Sequence, residues 1–246
     1  LMTIRAALDR LSQVEPDINI VVAYGQIIPD PIIYLPRFNS INIHFSLLPK
    51  YRGASPVQWA LLNGEKKTGV TIFELNSRMD EGDILSQKQV EIYPEETSSE
   101  LEERLACSGT ELLLNIIKDL PQITSYNQDH NAATYAPLIK KNDGRIDWTR
   151  EAIRIADQIR AFTPWPSSFC FHNQRRLKVT RGTPTAVSHT SSDPGLVLDV
   201  TKKGIDVACG SGSVIRILNL QPENKREMEA YAYSLGASLT GGDILK

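Results

Sequence analysis

The sequence predicts an α/β domain with a mainly parallel sheet, followed by a small β-barrel. Three observations carry this expectation. In the first half, amphipathic helical stretches alternate with short β-branched runs, as in strands covered by helices. Residues 122–143 are polar and aperiodic, which reads as a linker. The second half holds one helical stretch and then short apolar runs parted by turn residues, the spacing of a barrel. A length of 246 residues suits two ordinary domains, with expected bounds 1–121 and 144–246 around the linker.

The elements follow in order. Residues 3–14 place Ile4, Ala7, Leu8, Leu11 and Val14 at helical spacing. "PDINIVVAYG" reads as a buried strand ending at Gly25. "SINIHF" is a second strand. "SPVQWALLNG" is a short helix with Ser55 as N-cap, Pro56 in the first turn and Gly64 as terminator. "TGVTIFEL" and "DILSQKQVEI" are further strands. A long helix follows, capped by Thr97 or Ser98, with Leu101, Leu105, Leu112, Leu113 and Ile116 on one face and Pro121 as its stop. After the linker, "REAIRIADQIRAF" is helical, with Asp147 as its N-cap candidate. "TPWP" stops it and is expected to pack Trp165 against the barrel; Trp148 reads the same way. The barrel strands are "SSFCFH", "RLKVTRG", "GLVLDV", "GIDVACG" and "SVIRILNLQP".

Charge and cysteines limit the function classes. The net charge is −2, so no overall basic field points to nucleic acid. Charge is uneven, however: residues 1–143 carry 13 basic and 19 acidic side chains, net −6, and residues 144–246 carry 14 and 10, net +4. The three cysteines lack CxxC spacing, which excludes a disulfide framework and a zinc site by motif. Cys107 and Cys209 read as packing residues. The four histidines show no ligand spacing, and neither GxGxxG nor a P-loop occurs. No apolar run has the length of a membrane span.

One stretch carries the chemistry: "INIHFSLLPKYRG", residues 41–53. Ligands of open α/β sheets bind beyond the carboxyl ends of the strands, and a strand ends here. Asn42 and His44 stand two apart and share a face. An amide donor beside an imidazole suits a developing oxyanion, and His44 can move a proton near neutral pH. Read alone, a strand-end histidine is more often a surface or hydrogen-bonded structural residue, and an asparagine beside it can simply close a turn. A second stretch, "NSRMDEGDIL", sets Asp80, Glu81 and Asp83 around Gly82 without the ligand spacing of an EF-hand. A carboxylate brought onto His44 fixes its tautomer and favours its charged form.

"NIHFSLLPKYRGASPVQWALLNG" followed by "TGVTIFELNSRMDEGDIL" resembles the folate-dependent formyltransferases. "GRIDWTREAIRIADQIRAFTPWP" and "LQPENKREM" are similar to the branch of that family acting on methionyl-tRNA. The resemblance implies a Rossmann-like domain and an OB-like barrel. It implies Asn42, His44 and Asp80 as catalytic residues. Ser46, Leu47, Leu48 and Pro49 are expected to line the folate pocket, with Ala23, Tyr24, Gly25 and Ile27 at the neighbouring strand end. The implied reaction moves a formyl group from 10-formyltetrahydrofolate to the α-amine of initiator methionyl-tRNA, with no metal. The family carries two further strands upstream, so about 60 residues, two βα units, are expected before this sequence.

Lys50 and Arg52 form a candidate entrance loop for the acceptor stem. Arg175, Arg176, Lys178, Arg181, Lys202 and Lys203 are candidates for tRNA phosphates if they share a barrel face. The resemblance further implies a monomer in the bacterial cytoplasm, or an organelle matrix in a eukaryote. Three rivals stay open at the level of sequence: a formyltransferase acting on an amino sugar nucleotide, a hydrolase releasing formate, and a non-catalytic tRNA-binding relic.

Overall fold

The computed structural model describes residues 4–189 and 193–246. The chain divides into two compact units. The first takes residues up to Ala60, Glu65–Pro94 and Glu100–Leu138; the second takes Leu61–Gly64, Glu95–Ser99 and Ile139–Lys246.

In the first unit, helix α1 (Ile4–Val14) leads into strand β1 (Asn19–Val22). A short helix, α2 (Asp30–Ile33), precedes β2 (Ser40–His44). Helix α3 (Pro56–Leu62) ends near Gly64, whose φ of +70° suits a glycine terminator. Strands β3 (Lys67–Glu74) and β4 (Ile84–Glu91) form a hairpin, and α4 (Ser98–Asp119) follows. The sheet order is β1-β2-β3-β4. Only β1–β2 is parallel; β2–β3 and β3–β4 are antiparallel. The sheet is therefore mixed; the β3–β4 connection is too short for a parallel crossover. β1 is less buried than its β-branched run implies, with Ile20 42% and Val22 46% exposed.

Residues 122–138 belong to this first unit. Their order comes from bonds to distant chain. Tyr126 exchanges two backbone bonds with Ile84, and Arg52 donates to Thr134 O and accepts from Ala136 N. A polar, aperiodic sequence hides such bonds, because backbone atoms make them.

In the second unit, α5 (Ala152–Ala161) buries Ile155 and Ile159 in the barrel core. The strands are β5 (Ser168–His172), β6 (Arg175–Ser188), β7 (Val197–Thr201), β8 (Gly204–Ala208), β9 (Ser213–Pro222) and β10 (Met228–Glu229), before helix α6 (Ala230–Ala237). They pair antiparallel in the order β5-β6-β9-β8-β7, with β10 on β9. Register shifts along β6–β9 curl the sheet. The C-terminal residues join its two edges: Lys246 exchanges backbone bonds with Phe171 on β5, while Asp243 and Leu245 bond Val197 and Gly195 beside β7.

Several local expectations are corrected. Asp147 does not cap α5, whose N-cap is Glu151; its carboxylate accepts from Thr149 N–H and Oγ–H in a turn before the helix. Trp165 is 57% exposed, whereas Trp148 is buried in the core. Trp165 lies in the turn between α5 and β5, outside the packed layer. Cys107 is exposed rather than packed, since its helix turns that face outward. Cys170 and Cys209 are buried, and desolvation pushes their thiols up to about 12 and about 11, so both are inert packing groups.

Candidate active site

β2 separates packing from chemistry. Ile41 and Ile43 are buried on one face, where α4 passes so close that a Cβ on Gly109 would lie 3.0 Å from Ile43 Cγ2. Asn42 and His44 alternate with them and point to the other face. The neighbouring strand presents Phe73 opposite Asn42 and Thr71 opposite His44. The Phe73 ring meets the imidazole edge to face, with centroids 6.4 Å apart.

His44 is 6% exposed. Its Nε2 lies 2.9 Å from Tyr51 O. A carbonyl only accepts, so Nε2 carries the proton and donates it. Nδ1 faces Asp80 Oδ2 at 3.8 Å, beyond hydrogen-bond reach. Burial pushes the His44 pKa below its ordinary value of 6.5; the Asp80 charge and the bond to Tyr51 O pull upward without reversing this. The carboxylate acts in the expected direction, yet the charged ring is not the favoured form. Asp80 favours the charged ring, but loss of water outweighs it. Neutral His44 turns a bare Nδ1 toward the carboxylate.

Asp80 lies on the loop between β3 and β4, in the left-handed region at φ +54°. Two bonds hold it, and a third holds its loop. Gly53 N–H donates to its Oδ2 at 2.7 Å, and Gln128 Nε2 donates to its backbone oxygen at 2.8 Å and to Gly82 O at 2.8 Å. Gly53 has φ +120°, and a Cβ there would lie 2.7 Å from Ala136 O. Beside this pair, Asn42 Oδ1 is buried without a hydrogen-bond partner. Buried polar atoms are normally satisfied, so an orphan at a strand end suits a ligand.

The folate-pocket candidates divide in two. Ser46 is fully buried and donates its hydroxyl to Lys50 O at 2.6 Å. Leu48 packs with Phe73 and Ile84. These two side chains shape the loop from within. Thr71 Oγ supports it, donating to Ser46 O and accepting from Leu48 N–H, and Gln87 donates to Leu48 O. Leu47 and Pro49 are half-buried. At the end of β1, Ala23, Tyr24, Gly25 and Ile27 are all exposed, Ile27 at 90%. Val22 pairs with Ile43, so this loop leaves the sheet beside the end of β2.

Arg52 is corrected as an RNA contact. It is 2% exposed, bound to Glu81 at 3.1 Å, to Gln128 Oε1 at 2.6 Å and 3.1 Å, and to His130 Nδ1 at 3.0 Å. No phosphate reaches a guanidinium so enclosed. Lys50 is exposed. In the second unit, Arg176 stacks its guanidinium 3.9 Å over Phe169 and Arg181 pairs with Glu95 at 2.6 Å. Lys202 and Lys203 are exposed at the β7–β8 turn, Arg175 is exposed at the start of β6, and Lys178 is half-buried on it. Among the described residues, no group of three or more His, Cys, Asp or Glu could hold a metal ion, and no helix is long and apolar enough to cross a membrane.

The sequence did not reveal the Tyr51 carbonyl, the Gly53 N–H or Gln128. Only Gly53, closing the basic loop, gave a signal. Gln128 lies about 80 residues from His44 in a segment without periodicity, and nothing in its surroundings marks it.

Comparison with known proteins identifies the family. Residues 3–117 match the family described as formyl transferase, and residues 138–238 match the formyl transferase C-terminal domain. A methionyl-tRNA formyltransferase of Geobacter sulfurreducens is 38% identical over 97% of this chain and 75% of its own length. One from Desulfotalea psychrophila is 41% identical over 97% of this chain and 74% of its own length. Among solved structures, HypX from Aquifex aeolicus in complex with tetrahydrofolic acid superposes with a TM-score of 0.71 at 15% identity, over 95% of this chain and 41% of that one. Methionyl-tRNA formyltransferase from Clostridium thermocellum gives 0.59 at 22% identity, over 74% of this chain and 77% of that one. The structural likenesses carry the fold; the sequence relatives, spanning both units, carry the family. The chain belongs to the formyltransferase family, among the methionyl-tRNA formyltransferases.

Proposed function

We propose that this protein transfers the formyl group of 10-formyltetrahydrofolate to the α-amine of initiator methionyl-tRNA, using Asn42, His44 and Asp80. The observation that supports this most is the meeting of a buried imidazole, a carboxylate and an orphaned amide oxygen at the end of β2. The co-substrate supplies an electrophilic formyl carbon when bound. The residues divide the remaining work. The Asn42 amide can donate to the oxygen on which negative charge develops, while its Oδ1 accepts from the attacking amine. His44 Nδ1 takes the proton that the amine sheds as its bond to the formyl carbon forms. The new N–H then faces Asp80, and the ring acquires its positive charge as the oxyanion appears. When the bond from the formyl carbon to N10 breaks, His44 returns a proton to N10. The exposed apolar loop Ala23–Ile27 is the proposed platform for the pterin-like ring.

Arg175, Lys178, Lys202 and Lys203 are the proposed phosphate contacts in the second unit; Lys50 is the one proposed in the first. The acceptor is consumed in translation, so we assign the activity to the bacterial cytoplasm.

The test measures formyl transfer to methionyl-tRNA. Asn42→Ala is expected to lower the rate by about 10²–10³, the usual cost of an oxyanion donor. A loss under about threefold would remove Asn42 from the mechanism. Formate release without acceptor, at the same rate as transfer, would favour the hydrolase.

A further inference from the structure

We infer that Gln128 is a positioning residue for the reaction, holding Asp80 against His44 from outside the two sequence stretches that carry the catalytic groups. The inference rests on the functional reading above. Gln128 is 5% exposed, and its amide is fully used. Both protons of Nε2 go to backbone carbonyls of one loop, Asp80 O and Gly82 O, each at 2.8 Å. Oε1 accepts from two nitrogens of Arg52, at 3.1 Å and 2.6 Å. Arg52 lies between Tyr51, whose carbonyl holds His44, and Gly53, whose N–H holds Asp80. One side chain thus joins the loop that orients the imidazole to the loop that carries the carboxylate. It also clamps Asp80 where clamping is required, since a non-glycine residue at φ +54° stays there only when its surroundings determine it.

A residue that only stabilises the fold has different consequences from one that sets the spacing between Nδ1 and Asp80. Gln128→Glu separates them. The glutamate keeps an acceptor for Arg52 but has no proton for the carbonyls of Asp80 and Gly82. The expected result is a kcat lower by about tenfold to a hundredfold, since a displacement near 1 Å can cost that much. KM for methionyl-tRNA and for the folate should stay within about twofold of the wild type, and the pH–rate midpoint should move, because the environment of His44 changes. In an Asp80→Asn background the same substitution should lower kcat by less than about threefold, as the two changes disable one device.

Wild-type kcat and pH profile in a folded Gln128→Glu protein would overturn the inference. So would an equal loss in the Asp80→Asn background. If Gln128→Glu does not fold, Gln128→Asn, too short to reach both carbonyls, takes its place with the same criteria. Failure of the wild type itself to transfer formyl would instead overturn the functional reading, so the two failures are distinguishable.

Discussion

At His44, geometry and solvation agree on one protonation state. The Tyr51 carbonyl fixes the proton on Nε2, and burial removes the second proton from Nδ1. The consequence reaches stability. The unfolded chain binds a proton at this histidine below about pH 6.5, whereas the folded chain binds it only at lower pH. In that window the unfolded state holds more protons, so stability is present at higher pH and is lost as pH falls. Chemical denaturation at about pH 7.5 and about pH 5.5 should show wild-type stability dropping more steeply than that of His44→Gln. Equal slopes would mean that His44 does not carry this dependence. The pair Asn42 and His44 was legible because a strand's period of two places both on one face. The charge state was not legible, because it depends on how much water the fold removes from the ring.

Among the elements, the loop after β2 does more than cover the site. Lys50 O accepts from Ser46, Tyr51 O accepts from His44, and Gly53 N–H binds Asp80. Backbone groups of three of the four residues from Lys50 to Gly53 are thereby committed, so the loop's conformation matters more than its side chains. Gly53→Ala tests this. An added methyl at φ +120° meets Ala136 O at 2.7 Å. Urea unfolding should show a loss of about 1–3 kcal/mol, the usual cost of such backbone strain, and transfer should slow as Asp80 loosens. Unchanged stability would show that the loop shifts freely. Helices and strands of the first unit were readable from capping and periodicity: Pro56 and Gly64 bracket α3, and Leu101, Leu105 and Ile116 mark the buried face of α4. Strand direction was less readable. Alternating helices and strands suggested parallel pairing, while two of the three pairings are antiparallel. Residues 122–138 carry no local pattern because distant backbone atoms order them.

For the molecule as a whole, the uneven charge makes the proposed function testable. The first 143 residues carry net −6 and the remainder net +4, so the proposed function expects an RNA to draw its electrostatic attraction from the second half. Lys202 and Lys203 are exposed there. Replacing both with alanine should weaken methionyl-tRNA binding and flatten the slope of log K against log salt by about 1–2. An unchanged slope would place the phosphate contacts elsewhere. The clamp at Asp80 bears on how such a protein can be taken apart and recombined. Every side chain to which we assign the chemistry lies before residue 121, so a breakpoint there would transplant that whole inventory. It would leave behind Gln128, which joins the two loops to each other, and Thr134 and Ala136, which hold the loop after β2. The exchangeable module therefore ends near Leu138, and a lineage that swapped its second half at the end of the long helix would inherit the ingredients of the reaction without their alignment.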